Sequence, residues 1–215
     1  MRTRAVVQLV CDHVFRRRLV LQDAPIDKGI VGVGLSDWAG YSKLLETKLG
    51  YTNTFFHKAP YLDISSPKSF HGACDFVVSS DVFEHVKSPV ARAFEGAFSI
   101  LKPGGKLILT VPFTNADKTV EHFEEFDDFE VVMHEGKWVV VGRKVDGHFG
   151  IRSGLIFHGG DGETLELRVF CRSGLLAHLK SSGFVDVRVV SESDLNFGIV
   201  FKDQWSLPII ASKPI

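Results

Sequence analysis

The sequence predicts an α/β domain built on a mainly parallel sheet with helices on both faces. Three observations predict it. Strand-like apolar runs at residues 29–35, 75–79 and 106–111 are continuous, as strands buried on both faces are. Segments of helical period stand between them. The 215 residues, 45% hydrophobic and 24% charged, have the composition of one ordinary globular domain.

The elements follow in order. Ala5, Val6, Leu9, Val10 and Val14 recur at helical spacing, so residues 3–18 are expected to form an amphipathic helix, with 1–28 flanking a domain of 29–215. Strand 29–35 is expected to end in a tight turn at Gly32-Val33-Gly34. Trp38, Tyr41, Leu45 and Leu49 then share a helical face, and Gly50 stands as the stop before strand 51–56. After strand 75–79, Ser88 reads as a helix cap with Pro89 in the first turn, and Val90, Phe94, Ala97, Phe98 and Leu101 share the following face. Lys102-Pro103-Gly104-Gly105 reads as a sharp turn into strand 106–111.

Beyond Pro112 the period changes. Residues 129–133 and 138–141 flank Glu135-Gly136, the pattern of a β-hairpin, so 113–160 reads as an insertion. Residues 165–170 form another strand-like run. Ser173 is expected to cap a helix carrying Leu175, Leu176 and Leu179, which Gly183 stops. The final strands are 184–190 and 207–211, with 198–201 a further candidate between them.

Charge and cysteine content narrow the function classes. Lys and Arg total 25 against 26 Asp and Glu, so the chain lacks the cationic field of a nucleic-acid binder, and no nucleic-acid partner is expected. Cys11, Cys74 and Cys171 are odd in number and widely spaced, which argues against a disulfide framework or a cysteine zinc site and for a reducing, cytoplasmic setting. No apolar run approaches the ~20 residues that cross a bilayer, so no membrane partner is expected either.

In a doubly wound sheet, ligands bind outside the carboxyl ends of the strands, which makes Gly32-Val33-Gly34-Leu35-Ser36-Asp37 the first candidate site. Two further stretches carry a family likeness. Asp75-Phe76-Val77-Val78-Ser79-Ser80-Asp81-Val82-Phe83-Glu84-His85-Val86 and Ile100-Leu101-Lys102-Pro103-Gly104-Gly105-Lys106-Leu107-Ile108-Leu109-Thr110-Val111-Pro112 stand in linked order. Together they resemble the fourth and fifth strands of class I S-adenosylmethionine-dependent methyltransferases. The resemblance implies a Rossmann-like, doubly wound, mainly parallel seven-stranded sheet whose last strand is antiparallel, plus the hairpin insertion. It implies S-adenosyl-L-methionine above Gly32 and Gly34, Asp63 and Ile64 on the adenine side, and Ser80 and Asp81 at the methionine end and acceptor pocket. A sulfonium methyl is already activated, so the remaining tasks are alignment of the acceptor, exclusion of water and removal of a hydroxyl proton.

The sequence departs from the family pattern in two places. Ile30 or Val31 stands where an acid normally opens the glycine turn, and Ser36 where a third glycine would be. Residues 54–59 contain no carboxylate for the ribose hydroxyls; His57 or Asp37 is the available substitute. These departures keep open a domain that retains the fold without catalysis. The His57-Lys58 pair keeps open an NADP-binding oxidoreductase, although no Tyr-x-x-x-Lys pattern accompanies it.

Histidine has the side-chain pKa nearest neutrality, so three histidines are proton-transfer candidates. His85 follows Glu84 after the fourth-strand motif. His122 lies in the acidic run Glu121-His122-Phe123-Glu124-Glu125, and His158 precedes the flexible loop Gly159-Gly160-Asp161-Gly162. Asp117, Glu121, His122 and His158 match no metal template, and no metal is expected. The expected activity is methyl transfer to a small molecule or sugar, at oxygen.

Overall fold

Alternation of side chains across a pleated strand explains how the chain builds two cores from one set of strands. In the computed structural model, which describes residues 2–160, 162 and 164–215, four strands form the parallel part of the main sheet: β1 (Asp27–Leu35), β2 (Leu49–Thr54), β3 (Cys74–Ser80) and β4 (Leu101–Thr110). Val33, Val77, Leu107 and Leu109 face one side, where helices α3 and α4 pack; Phe76, Val78 and Ile108 face the other, with α1 and α2. These helices are α1 (Arg2–His13), α2 (Ala39–Lys48), α3 (Ala91–Ile100) and α4 (Arg172–Ser181). Each fully buried apolar side chain of this kind contributes roughly 1.5–3 kcal/mol.

Between β4 and α4 lie short strands β5 (Phe113–Thr114) and β6 (Val120–Glu121), the hairpin β7 (Phe126–His134) and β8 (Lys137–Lys144), then β9 (Phe149–Arg152), β10 (Phe157–His158), β11 (Thr164–Leu165) and β12 (Arg168–Cys171). The hairpin turns on Glu135 and Gly136 at φ 48° and 74°, as a two-residue loop with both φ positive requires. β12 pairs with β5 and with β6, setting Arg168 opposite Glu121. After α4 come β13 (Val185–Val189) and β14 (Ile209–Ser212).

The main sheet runs β13-β14-β4-β3-β1-β2, and β14 is antiparallel to both neighbours. The described residues give it six strands where the resemblance implies seven. Outside β2 only an isolated bridge, Phe55↔Tyr61, forms; the following chain holds Pro60, Pro67 and Gly72, and proline cannot donate to a ladder.

Several local expectations are corrected. Gly32 and Gly34 lie inside β1, opposite Phe76 and Val78, and the turn comes later at Ser36. Gly50 does not stop α2: it is a strand residue opposite Val31, and a Cβ there would meet the Lys28 carbonyl at 2.6 Å. Ser88 does not cap α3, because its hydroxyl accepts from Arg168 at 3.3 Å. Ser173 is displaced as the α4 cap by Cys171, whose Sγ accepts from the Gly174 N–H at 3.2 Å. Residues 102–105 bulge within β4, with Gly104 at φ 77°, instead of preceding it. The run 165–170 divides into β11 and β12, and 198–201 contributes only the bridge Asp194↔Ile199.

Candidate active site

The carboxyl ends of β1 and β3 both break into turns through non-glycine residues in the left-handed region, Ser36 at φ 56° and Asp81 at φ 55°. Such conformations cost of order 1–3 kcal/mol and concentrate at functional sites. Backbone bonds hold them: Ser36 N–H to Thr54 O at 2.7 Å and Asp81 N–H to Thr110 O at 2.8 Å. Ser80 Oγ lies 2.9 Å from Thr110 Oγ1. From the start of α1, Arg2 Nη1 donates to Asp81 Oδ1 at 2.7 Å and also reaches Ser206. Burial raises the Asp81 pKa, and the Arg2 charge opposes that shift.

The remaining cofactor candidates are dispersed. A Cβ on Gly32 would fall 2.2 Å from the Phe76 ring, and one on Gly34 would fall 1.9 Å from the Tyr51 hydroxyl. Protein side chains therefore fill the space beside both glycines. Val33 and Leu35 are buried core residues. Asp37 is buried too, accepting from Tyr51 through Oδ2, and burial pushes its carboxyl up to about 7. His57 is exposed against the edge of Phe56. Asp63 is exposed and accepts from Ser65, while neighbouring Ile64 is buried. A cleft of about 450 Å³ borders Asp37, Asn53, Phe55 and Lys58, and another of about 650 Å³ lies between α1 and the end of β13.

The three candidate histidines converge. Glu84 and His85 sit on a single 3-10 turn, Phe83–His85, just past β3. His122 Nε2 lies 2.9 Å from Glu166 Oε1, and His158 Nε2 lies 3.0 Å from Glu166 Oε2, so one carboxylate bridges two imidazoles. His85 and His158 meet edge to face, with ring centroids 4.8 Å apart. His85 Nδ1 is 2.8 Å from the Leu165 carbonyl, and burial pushes its pKa down to about 4. Glu84 is 0% exposed, and burial, with the charge of Asp81 next, pushes its carboxyl up to about 8. Asp161, in the loop after His158, lies outside the described residues.

Sequence reasoning left Glu166, Arg168 and Arg2 out of the candidate site. Arg168 is fully buried and donates to Glu121 Oε1 at 2.7 Å, to the carbonyls of Phe83 and Val86 at 3.0 and 2.6 Å, and to Ser88. It thereby ties β12 to the turn that carries Glu84 and His85. No local signal marked Glu166 and Arg168, because Leu165-Glu166-Leu167-Arg168-Val169 alternates apolar and polar as a strand with one solvated face does.

Among solved structures, Burkholderia thailandensis 1,6-didemethyltoxoflavin-N1-methyltransferase, bound to 1,6-didemethyltoxoflavin and S-adenosylhomocysteine, is 12% identical with a TM-score of 0.51, over 100% of this chain and 79% of that one. The CurJ carbon methyltransferase is 14% identical with a TM-score of 0.56, over 98% of this chain, which spans only 55% of that one. The [4+2]-cyclase SpnF is 15% identical with a TM-score of 0.55, over 99% of this chain and 81% of that one. Likeness at these identities establishes the fold. No curated protein sequence matches the chain. A family model described as a methyltransferase domain matches residues 20–143, more than half of the chain and all of β1 to β4. The chain belongs to the methyltransferase-domain family.

Proposed function

We propose that this chain is an S-adenosylmethionine-dependent methyltransferase that transfers the methyl group to a hydroxyl oxygen of a small molecule or sugar. The observation that carries this reading is the His122–Glu166 hydrogen bond, with His158 against the other Glu166 oxygen, beside the carboxyl end of β3 in a chain of the methyltransferase-domain family. The cofactor's methionine end is a zwitterion, and the Arg2–Asp81 pair offers one partner of each sign. Each charge of that pair can exchange its present partner for the opposite charge of the ligand. Residues at this end fit the group. The nucleoside end would rely on Asp63, Ile64 and His57 in place of a ribose carboxylate. When bound, the cofactor supplies an activated methyl group.

The chain's own residues handle the proton. Glu166 accepts only, so the hydrogen between it and His122 sits on Nε2, which leaves the Nδ1 lone pair free. His122 takes the acceptor hydroxyl's proton at Nδ1, and Glu166 orients the ring and stabilises the resulting imidazolium.

The occupied space beside Gly32 and Gly34 favours a second reading, a domain that keeps the fold without methyl transfer. Titration calorimetry and thermal shift with S-adenosylhomocysteine separate the two. A ligand of the folded state raises Tm with concentration by mass action. The expected result is measurable heat and a rising Tm with S-adenosylhomocysteine and neither with NADPH. Silence in both assays with S-adenosylhomocysteine would sink the methyltransferase reading.

A further inference from the structure

We propose that Glu84, His85 and His158 form a binding site for a divalent first-row transition-metal ion, zinc in the first instance, through one carboxylate oxygen and two imidazole nitrogens. The site shares His158 and its neighbour Glu166 with the proposed proton-transfer group, and its test reads metal binding, not methyl transfer.

The first observation is an unpartnered buried carboxylate. Glu84 is 0% exposed, and neither of its oxygens has a hydrogen-bond partner among the described residues. A buried carboxylate left unpaired costs several kcal/mol. Arg168, whose charge acts on His85, does not relieve it, because its N–H groups go to Glu121, Ser88 and two backbone carbonyls.

The second observation is the placement of the ligand atoms. Leu165 presents a carbonyl to His85 Nδ1, and a carbonyl only accepts, so Nδ1 carries the hydrogen and Nε2 the lone pair. That Nε2 lies 3.7 Å from Glu84 Oε1. His158 Nδ1 lies 3.9 Å from the same Glu84 oxygen, while its Nε2 stands 3.0 Å from Glu166 Oε2 in an ion-pair contact. Three potential ligand atoms, one from each residue, thus face one another, all within 4.8 Å. A cation at their centre would give the buried Glu84 oxygen the partner it lacks.

Outer contacts have the form that metal-bound histidines require. A ligating imidazole normally donates its other N–H to a carbonyl or carboxylate, which fixes tautomer and ring orientation. His85 shows this with the Leu165 carbonyl, and His158 Nε2 has a Glu166 oxygen 3.0 Å away. Two imidazoles and a carboxylate suit zinc better than calcium or magnesium, which prefer oxygen throughout. Zinc bonds of about 2.0–2.2 Å set tetrahedral ligand atoms about 3.4 Å apart, so the two Glu84 distances need to close by about 0.3–0.5 Å and the two imidazoles, within 4.8 Å of each other, by up to about 1.4 Å. Three protein ligands leave a fourth position open, and His158, with its side chain 35% exposed, marks the side that solvent can reach.

The test uses the full chain, stripped with a chelator and titrated with zinc chloride alone in a calorimeter. One zinc per chain should bind and raise Tm. Glu84→Gln keeps the shape, removes the charge, and should weaken binding by about tenfold or more; Glu166→Gln, acting through His158, should weaken it about 10–100-fold. His158→Ala, at a half-exposed position, supplies a ligand deletion that does not disturb the core. His134→Ala, at the exposed hairpin tip, should bind as the parent chain does. Cobalt in place of zinc should give the visible absorption of a four-coordinate ion, lost in Glu84→Gln. Absence of zinc uptake by the parent chain, or uptake undiminished in both Glu84→Gln and His158→Ala, overturns the proposal.

Discussion

Gly34→Ala is a one-carbon test of why glycine occupies that position. The added Cβ would stand 1.9 Å from the Tyr51 hydroxyl and 2.4 Å from Asp37 Oδ2, the two partners of a buried hydrogen bond. Tyr51 cannot retreat freely, because its ring stacks on Phe76 at 5.8 Å, and Phe76 in turn fills the space over Gly32. Overpacking of this kind costs about 1–3 kcal/mol. Parting the hydrogen bond leaves a buried polar group unsatisfied, about 1–3 kcal/mol more. A combined loss of about 2–6 kcal/mol is expected in urea unfolding, or about 4–24 °C in Tm at the 2–4 °C per kcal/mol of a domain this size. Tyr51→Phe, which removes the nearest clashing atom, should be milder in the Gly34→Ala background than alone, with a coupling of about 1 kcal/mol. Stability within about 0.5 kcal/mol of the parent chain, with no coupling, would refute the packing explanation and return the glycine to a ligand-clearance role.

Asp37 adds a pH dependence. Its folded pKa of about 7 stands above the ordinary 3.8, so across that window the folded chain holds a proton that the unfolded chain releases. Stability from this group is therefore full below pH 3.8 and declines up to about pH 7, by at most about 1.4 kcal/mol per unit. Asp37→Asn should flatten that part of the stability profile; an unchanged slope would contradict the buried-acid account. Arg168→Met leaves Glu121 and the carbonyls of Phe83 and Val86 without their donor and should cost about 3–5 kcal/mol in chemical unfolding. Asp81→Asn, which suits the left-handed backbone and removes the charge, should weaken S-adenosylhomocysteine about tenfold by calorimetry, near the 1.4 kcal/mol of one charged contact. His122→Ala should leave that affinity unchanged, since its place is on the acceptor side; a tenfold loss there would move His122 to the cofactor.

The strands and helices were legible where a local rule decides them. The runs at 75–79 and 106–111 became β3 and β4 because burial on both faces leaves no room for polar alternation. Glu135-Gly136 became a hairpin turn because glycine takes one of its two positive φ angles without steric cost and the β-branched runs on either side pair. Caps were read less well. Ser88 and Ser173 had the right chemistry, yet Arg168, 80 residues away in the chain, claimed one, and Cys171, two residues upstream, took the cap position of the other.

The same division runs through the candidate site. Composition, charge and the linked fourth- and fifth-strand motifs determined, without coordinates, the α/β class, the family likeness and the histidines to watch, because each follows from residues near one another in the chain. Tertiary structure alone decided that Glu166, 44 positions from His122, would bridge it to His158, and that Phe76 and Tyr51 would fill the hollow beside the β1 glycines. Those outcomes depend on which side chains strand pairing brings face to face, and a pairing between distant segments is an energy of the whole packed molecule, to which no short stretch of sequence holds the key.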